Sequence, residues 1–262
     1  DYVFLNYLRC HDDIGWGLDY PWLKQFGIDE VSHKKYLNDF LTGQYPGSFG
    51  RGELYNSDPE SGDARLCGTT ASLCGIEKTA FENDTEALEK AVRLDLMLHA
   101  YMLSQSGIPV IYSGDEIGQE NDYTYHENPR KWDDSRYLHR GDFRWDLEKK
   151  RSVKGSLQEK IFDDIRKLET IRAQYPVFCT DARVWTIDTW DDSILGLVRE
   201  YGEEKVIALF NFSEFDKVAW INEEDGMYTD LISGRAMEAK GVEIPAYGVY
   251  WLMRENGIEE NK

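Results

Sequence analysis

An α/β unit followed by an all-β domain is predicted by three features of the chain. Two short apolar runs, residues 3–8 and 108–112, each end in a polar cluster, the pattern of strands in a parallel sheet. Between them Ala87, Leu88, Ala91, Val92, Leu94, Leu98, Tyr101 and Met102 recur at helical spacing. Strand, helix and strand in that order make a parallel crossover unit. Beyond Tyr175-Pro176 the period changes from helical to alternating, in short segments that predict antiparallel strands.

Each element follows from its residues. Val3-Phe4-Leu5-Asn6-Tyr7-Leu8 is almost continuously apolar, as expected of a strand buried on both faces, and gives way to the polar cluster 9–13. From Ile14 to about Thr79 the chain is rich in Gly, Pro, Asp and aromatics without sustained period, apart from a short helix over 31–41; this predicts one long excursion. Asn83-Asp84-Thr85-Glu86 supplies capping residues and N-terminal acid for a helix with a wide buried face, running up to Gly107. The strand 108–112 is closed by Ser113-Gly114-Asp115-Glu116, and a polar, aromatic loop spans 118–155. Ile161, Ile165, Leu168 and Ile171 lie on one stripe of a helix over 157–172, which Tyr175-Pro176 stops. Strands are expected at 183–186, 194–198, 206–211 and 248–252.

Composition limits the partners. A net charge of -19 repels polyphosphate and anionic lipid, so neither nucleic acid nor a membrane surface is expected. A neutral sugar meets no such field, and an aromatic content of 13% offers flat rings for sugar faces. Cys10, Cys67, Cys74 and Cys179 form no CxxC pair and no dense secreted-domain spacing, which predicts reduced thiols and a cytoplasmic protein. No charged leader precedes an apolar stretch and no apolar run reaches bilayer length. A chain that opens on Asp1 in an apolar pattern predicts a piece of something longer. His33, His99, His126 and His139 lack the spacing of a metal site, so no metal and no cofactor are expected, and His99 falls on the buried helix face.

Two clusters carry the candidate chemistry. Cys10-His11-Asp12-Asp13-Ile14-Gly15-Trp16 stands where a parallel strand ends, which in a closed α/β barrel is the active-site end. A carboxylate there suits an oxocarbenium-like transition state; the alternative is a solvated acidic turn. In Gly107-Ile108-Pro109-Val110-Ile111-Tyr112-Ser113-Gly114-Asp115-Glu116-Ile117-Gly118, the glycines permit a tight entry and exit, and Glu116 is expected to brace loops by accepting backbone hydrogen bonds.

In this order, separated by a helix, the two clusters resemble the seventh and eighth strand ends of the α-amylase clan, glycoside hydrolase family 13. Gly47-Ser48-Phe49-Gly50-Arg51-Gly52, Gly62-Asp63-Ala64-Arg65-Leu66-Cys67-Gly68-Thr69 and Asp133-Asp134-Ser135-Arg136-Tyr137-Leu138-His139-Arg140 are similar to amylosucrase, and the resemblance runs from Tyr2 to Met253. It implies the last quarter of a (β/α)₈ barrel over 1–175, with an inserted subdomain at about 13–79, followed by a C-terminal β-sandwich over 176–262. By position Asp12 matches the transition-state-stabilising aspartate and His11 the histidine that bonds glucosyl hydroxyls. Arg136 matches the arginine that closes the floor of the glucosyl pocket by pairing with an aspartate from an earlier loop. Asp13 and Arg65 match residues of the neighbouring fructosyl or acceptor subsite; set apart from the family, Arg65 is a surface ion pair in an acidic loop. Asn56, Asp58 and Tyr36 depart from the family pattern, which puts acceptor preference in doubt.

The implied activity is retaining transfer of glucose from sucrose to an α-glucan. In this family the nucleophile and the acid/base come from earlier strands, so the chain by itself is expected to be inactive and to seek the missing barrel portion or to self-associate. The alternatives are an α-glucoside or sucrose hydrolase of the same clan, and a non-catalytic sugar-binding module.

Overall fold

The computed structural model describes residues 2–222 and 226–254, so residues 223–225 and 255–262 of the expected 176–262 domain lie outside the described residues. In chain order come β1 (Leu5–Asn6), β2 (Ile14–Gly15), α1 (Tyr20–Leu23), α2 (Glu30–Leu41), β3 (Glu53–Tyr55), β4 (Arg65–Cys67), α3 (Thr70–Leu73), α4 (Ile76–Glu82), α5 (Thr85–Ser104) and β5 (Ile108–Pro109). There follow α6 (Trp145–Glu148), α7 (Leu157–Gln174), β6 (Arg183–Ile187), β7 (Ile194–Tyr201), β8 (Glu204–Asn211) and β9 (Lys217–Trp220). The last are β10 (Met227–Asp230), β11 (Ala236–Glu238), β12 (Lys240–Ile244) and β13 (Val249–Arg254). The described residues form two compact units, one of residues 2–6, 96–110, 163–222 and 226–254, the other of residues 7–95 and 111–162.

In the first unit β1 and β5 pair in parallel, Leu5 opposite Ile108 and Asn6 opposite Pro109, as the crossover pattern predicts. The amides of Ile108 and Val110 donate to Phe4 O (2.9 Å) and Asn6 O (2.8 Å), and the Asn6 side-chain amide donates to Ser106 O at 2.8 Å. The expected burial of this strand on both faces is corrected: Phe4 is 72% and Leu5 62% exposed. Among the described residues β1 pairs with β5 alone, and the apolar side chains beside that pair, Val3 and Ile108 included, face water.

The rest of this unit is antiparallel. Six strands run in the order β11-β10-β13-β8-β7-β6, and β9 pairs with β12 as a separate ribbon. One core joins them: Val198 from β7, Ile207 and Leu209 from β8, Ala219 from β9, Val242 and Ile244 from β12, and Leu252 from β13. Two sheets over a shared apolar layer make a sandwich, and each large side chain so buried contributes about 1.5–3 kcal/mol. β8 is buried on its other face too, where Phe210 meets Tyr101 edge-on at 5.6 Å between centroids, which accounts for its unbroken apolar run. Arg199 is fully buried on β7 and donates to Ser104 O (2.7 Å), Cys179 O (2.7 Å) and Val177 O (2.9 Å). Burial pulls its pKa down to about 10.

The second unit gives internal order to residues 14–79, where the sequence shows no sustained period apart from one helix. It holds a three-stranded antiparallel sheet, β2-β4-β3, with Ile14 opposite Leu66, Gly15 opposite Arg65, and Tyr55 on the other side of Arg65. Polar contacts organise it where hydrophobic period is lacking. Asp29 caps α2 by accepting from Ser32 N at 2.9 Å. Asn38, buried on α2, donates to Gly62 O (2.9 Å) and accepts from the Trp16 indole (2.7 Å). Buried Lys34 pairs with Glu30 and, at 2.7 Å, with Asp63, and these carboxylates hold its pKa above the ordinary lysine value.

Candidate active site

Chain continuity puts Arg9 to Asp13 between β1 and β2, and the second unit surrounds that segment with residues far away in sequence. His11 and Asp12 lie together, Nε2 to Oδ2 at 3.3 Å, with both side chains more than half exposed. The other Asp12 oxygen accepts from Arg140 Nη2 at 3.3 Å, while Arg140 Nε donates to the His11 carbonyl at 2.6 Å. A guanidinium bonded to both a carboxylate and the preceding backbone carbonyl fixes the turn and the acid together.

His139 completes the support. It is buried; its Nδ1 accepts from Gly68 N–H at 3.2 Å, so the ring proton sits on Nε2, which faces His11 O at 3.3 Å. Burial, with Arg9 and Arg140 adding to it, lowers its pKa to about 3, and the ring is neutral at ordinary pH. Tyr112, just after β5, donates to His139 O at 3.0 Å. Sequence spacing pointed to no role for His139 or Arg140, because they stand 128 residues away from the segment they hold. Both lie in residues 133–140, whose likeness to the family is the one signal for them in the sequence.

Arg136 forms a bidentate pair with Asp134, Nε to Oδ1 and Nη2 to Oδ2 both at 2.8 Å, and its guanidinium lies 4.8 Å from the centre of the Tyr55 ring. The pair holds the Asp134 carboxyl below its usual range. Among the described residues, then, Arg136 pairs with its own neighbour two residues back, and the guanidinium bonded to Asp12 is that of Arg140. Asp13 contributes to the field at Arg136. Arg65 lies across the strand from Gly15, so close that a Cβ on Gly15 would fall 1.8 Å from Arg65 Nη1. The bare backbone of Gly15 is what lets the Arg65 side chain cross it. The five predicted residues therefore fall in one unit, in two groups: His11 with Asp12, and Asp13, Arg65 and Arg136 around β2, β3 and β4.

Cys67, beside Arg9, is a thiol whose pKa burial pushes up to about 12. Cys10, His11 and Asp12 bring three metal-binding atom types within 4.8 Å of one another, but Arg140 already occupies the carboxylate and the cluster is open. Glu116 accepts from Gly114 N–H at 2.7 Å, a brace within its own turn. The rim is held by Glu53, whose carboxylate accepts from the Tyr125 hydroxyl and meets His126 Nε2 at 2.9 Å. No described helix is long and apolar enough to cross a membrane.

No family model matches the chain. Over 159 residues it is 24% identical to the glucosylglycerate phosphorylase of Escherichia coli (strain K12), a match taking in 60% of this chain and 27% of that protein. Among solved structures it is similar to a single-residue variant of AmyP in complex with maltotriose, with a TM-score of 0.52 at 14% identity, over 65% of this chain and 38% of that one. It is also similar to the isomaltulose synthase PalI from Klebsiella sp. LX3, with a TM-score of 0.49 at 16% identity, over 61% and 38% of the two chains. The chain thus spans about a quarter of the curated relative and less than two fifths of either solved structure. The AmyP likeness is one of fold: part of that protein's architecture, helices together with an antiparallel sheet, recurs here.

Proposed function

We propose that this chain supplies the transition-state-stabilising side of a retaining α-glucosyl-transfer site, which takes glucose from sucrose, releases fructose and passes the glucosyl group to an α-glucan. The supporting observation is the fixed pair of His11 and Asp12, one carboxylate oxygen against His11 and the other against Arg140. In such chemistry the bond from glucose C1 to the fructosyl oxygen breaks as an acid protonates that oxygen and a carboxylate bonds C1; an acceptor hydroxyl then displaces the carboxylate and returns its proton. Asp12 stabilises the positive charge that builds at the ring, and His11 binds ring hydroxyls. Arg136 frames the glucosyl pocket, while Asp13 and Arg65 contact the fructosyl or acceptor group. Nucleophile and acid/base come from residues outside these 262, and the parallel pair β1–β5, with Phe4, Leu5 and Ile108 exposed, seats that missing barrel portion or a second copy.

The test has two arms. The 262-residue protein alone is expected to release no fructose from sucrose; release above an Asp12→Ala control would sink the proposal. Joined to a segment carrying an aspartate and a glutamate at successive strand ends, it is expected to release fructose and lengthen glucan, with Asp12→Ala costing about 10²–10³-fold or more in kcat. A second reading, phosphorolysis, is favoured by the guanidinium of Arg140 beside Asp12 and by the phosphorylase relative. Adding inorganic phosphate to the same assay separates the two, since phosphorolysis yields a sugar phosphate in place of longer glucan.

A further inference from the structure

The first unit carries a second feature suited to sugars, in the β-sandwich and independent of His11 and Asp12. β9 alternates cleanly: Ala219 is fully buried in the core, while Val218 and Trp220 stand outward, Trp220 52% exposed. Its partner β12 is bulged between Lys240 and Val242, and the bulge residue Gly241 has φ +68°, a conformation that favours glycine. The benzo edge of the Trp220 indole lies over that glycine: Cη2, Cζ3 and Cζ2 stand 3.2, 3.3 and 3.7 Å from where a Cβ would be. Any other side chain there would press against the ring. The Trp220 amide donates to Thr189 O at 3.0 Å, which joins β9 to the turn bearing Trp190. Trp190 is 68% exposed and holds φ +58°, unusual for a bulky residue, with its amide bonded to Asp188 Oδ1 at 2.8 Å.

Two exposed indoles thus stand on hydrogen-bonded neighbouring segments, one of them seated over a glycine bulge. Charges of both signs stand around them: Asp188 and Asp191 in the Trp190 turn, Lys217 of β9 paired with Asp191 at 3.3 Å, Glu243 opposite Val218, and Lys240 opposite Trp220 itself. The chain's net charge of -19 disfavours anionic polymers and anionic lipid, and a rim of carboxylates and ammonium groups gives hydroxyls both acceptors and donors. An uncharged polyhydroxylated chain satisfies both demands, with C–H faces on the rings and hydroxyls toward the carboxylates.

We propose that Trp220 and Trp190 form a non-catalytic binding surface for a neutral polysaccharide, serving to hold the enzyme on its polymer. That the polymer is an α-glucan rests on the proposed activity; the surface itself does not. The 262-residue protein is run in native gels containing amylopectin, alone and as Trp220→Ala, Trp220→Tyr, Trp190→Ala and Arg136→Ala. Amylopectin is expected to retard the unsubstituted chain. Trp220→Ala should weaken that retention about tenfold and Trp190→Ala less, while Trp220→Tyr, which keeps a flat ring, and Arg136→Ala should retain most of it. Far-UV circular dichroism and thermal melts of each variant distinguish lost binding from lost folding, and Trp190→Ala carries the test if Trp220→Ala does not fold, unchanged retention in it then overturning the proposal. Absence of retention, retention unchanged in Trp220→Ala, or retention lost only in Arg136→Ala would overturn the proposal. Failure of the fructose assay with retention intact would sink the catalytic reading and leave this one standing.

Discussion

Two buried arginines show how differently the two units treat a cation. In the β-sandwich unit, Arg199 is completely enclosed, and the carbonyls of Ser104, Val177 and Cys179 converge on its guanidinium. In the other unit Arg9 is only 2% exposed, yet Nε, Nη1 and Nη2 have no hydrogen-bond partner among the described residues. Burial lowers the pKa of both, and only weak fields from Cys67, Cys10, Asp115 and Tyr112 oppose it at Arg9. A buried charge stabilises a fold when the surrounding dipoles replace its water, and costs free energy where they do not. Arg199 ties β7 to the segments before β5 and after α7; Arg9, two residues before His11, is held in place at a cost.

That contrast can be broken by experiment. Arg199→Met leaves two buried carbonyls and one partly buried one without their donor and is expected to cost the 262-residue protein about 3–5 kcal/mol, read by urea unfolding; a loss under about 1 kcal/mol would end the comparison. The next effect belongs to His139. Its folded pKa, about 3, lies below its unfolded value of 6.5, so the unfolded chain binds the extra proton first as pH falls. Stability present above pH 6.5 should therefore drain away toward pH 3, about 4–5 kcal/mol in all, and His139→Gln should flatten that part of the pH profile. Arg9→Met should move the other way from Arg199→Met, between no change and about 2 kcal/mol of added stability, because an apolar chain of similar shape replaces unpaired donors. The smallest effect is at Gly15. Gly15→Ala is expected to cost less than about 1 kcal/mol but to displace Arg65, visible as a shifted arginine Nε–H resonance by NMR. An unmoved resonance would show that Arg65 does not depend on the bare backbone.

Much of the fold was legible residue by residue. The helical stripe of Ile161, Ile165, Leu168 and Ile171 is buried, and α7 covers 157–174 where the periodicity predicted 157–172. The parallel direction of β1 and β5 followed from strand, helix and strand in sequence. The strands β9 to β12 were not read, since they are short and interrupted by Gly226, Gly234 and Gly241, which mask alternation. The small sheet β2-β4-β3 was missed for a related reason: its strands are two or three residues long and are held by partners such as Asn38 and Trp16, which leave no period. At the candidate site, His11, Asp12, Asp13, Arg65 and Arg136 were picked out by the family resemblance, while their neighbours His139, Arg140, Asp134 and Tyr55 were not assigned a role.

The sequence by itself determined the order of elements, their local caps and the change from a helical to an alternating pattern, because these depend on side chains within a turn or two of each other. Tertiary structure alone decided that Arg140 holds Asp12, that Arg65 crosses Gly15, and that Leu5 faces water. The first two are hydrogen-bond and packing choices made across tens of residues or more, up to 128 for Arg140, and the third depends on which surfaces come to cover a strand. No local pattern encodes such partners; they exist only once the chain has closed on itself.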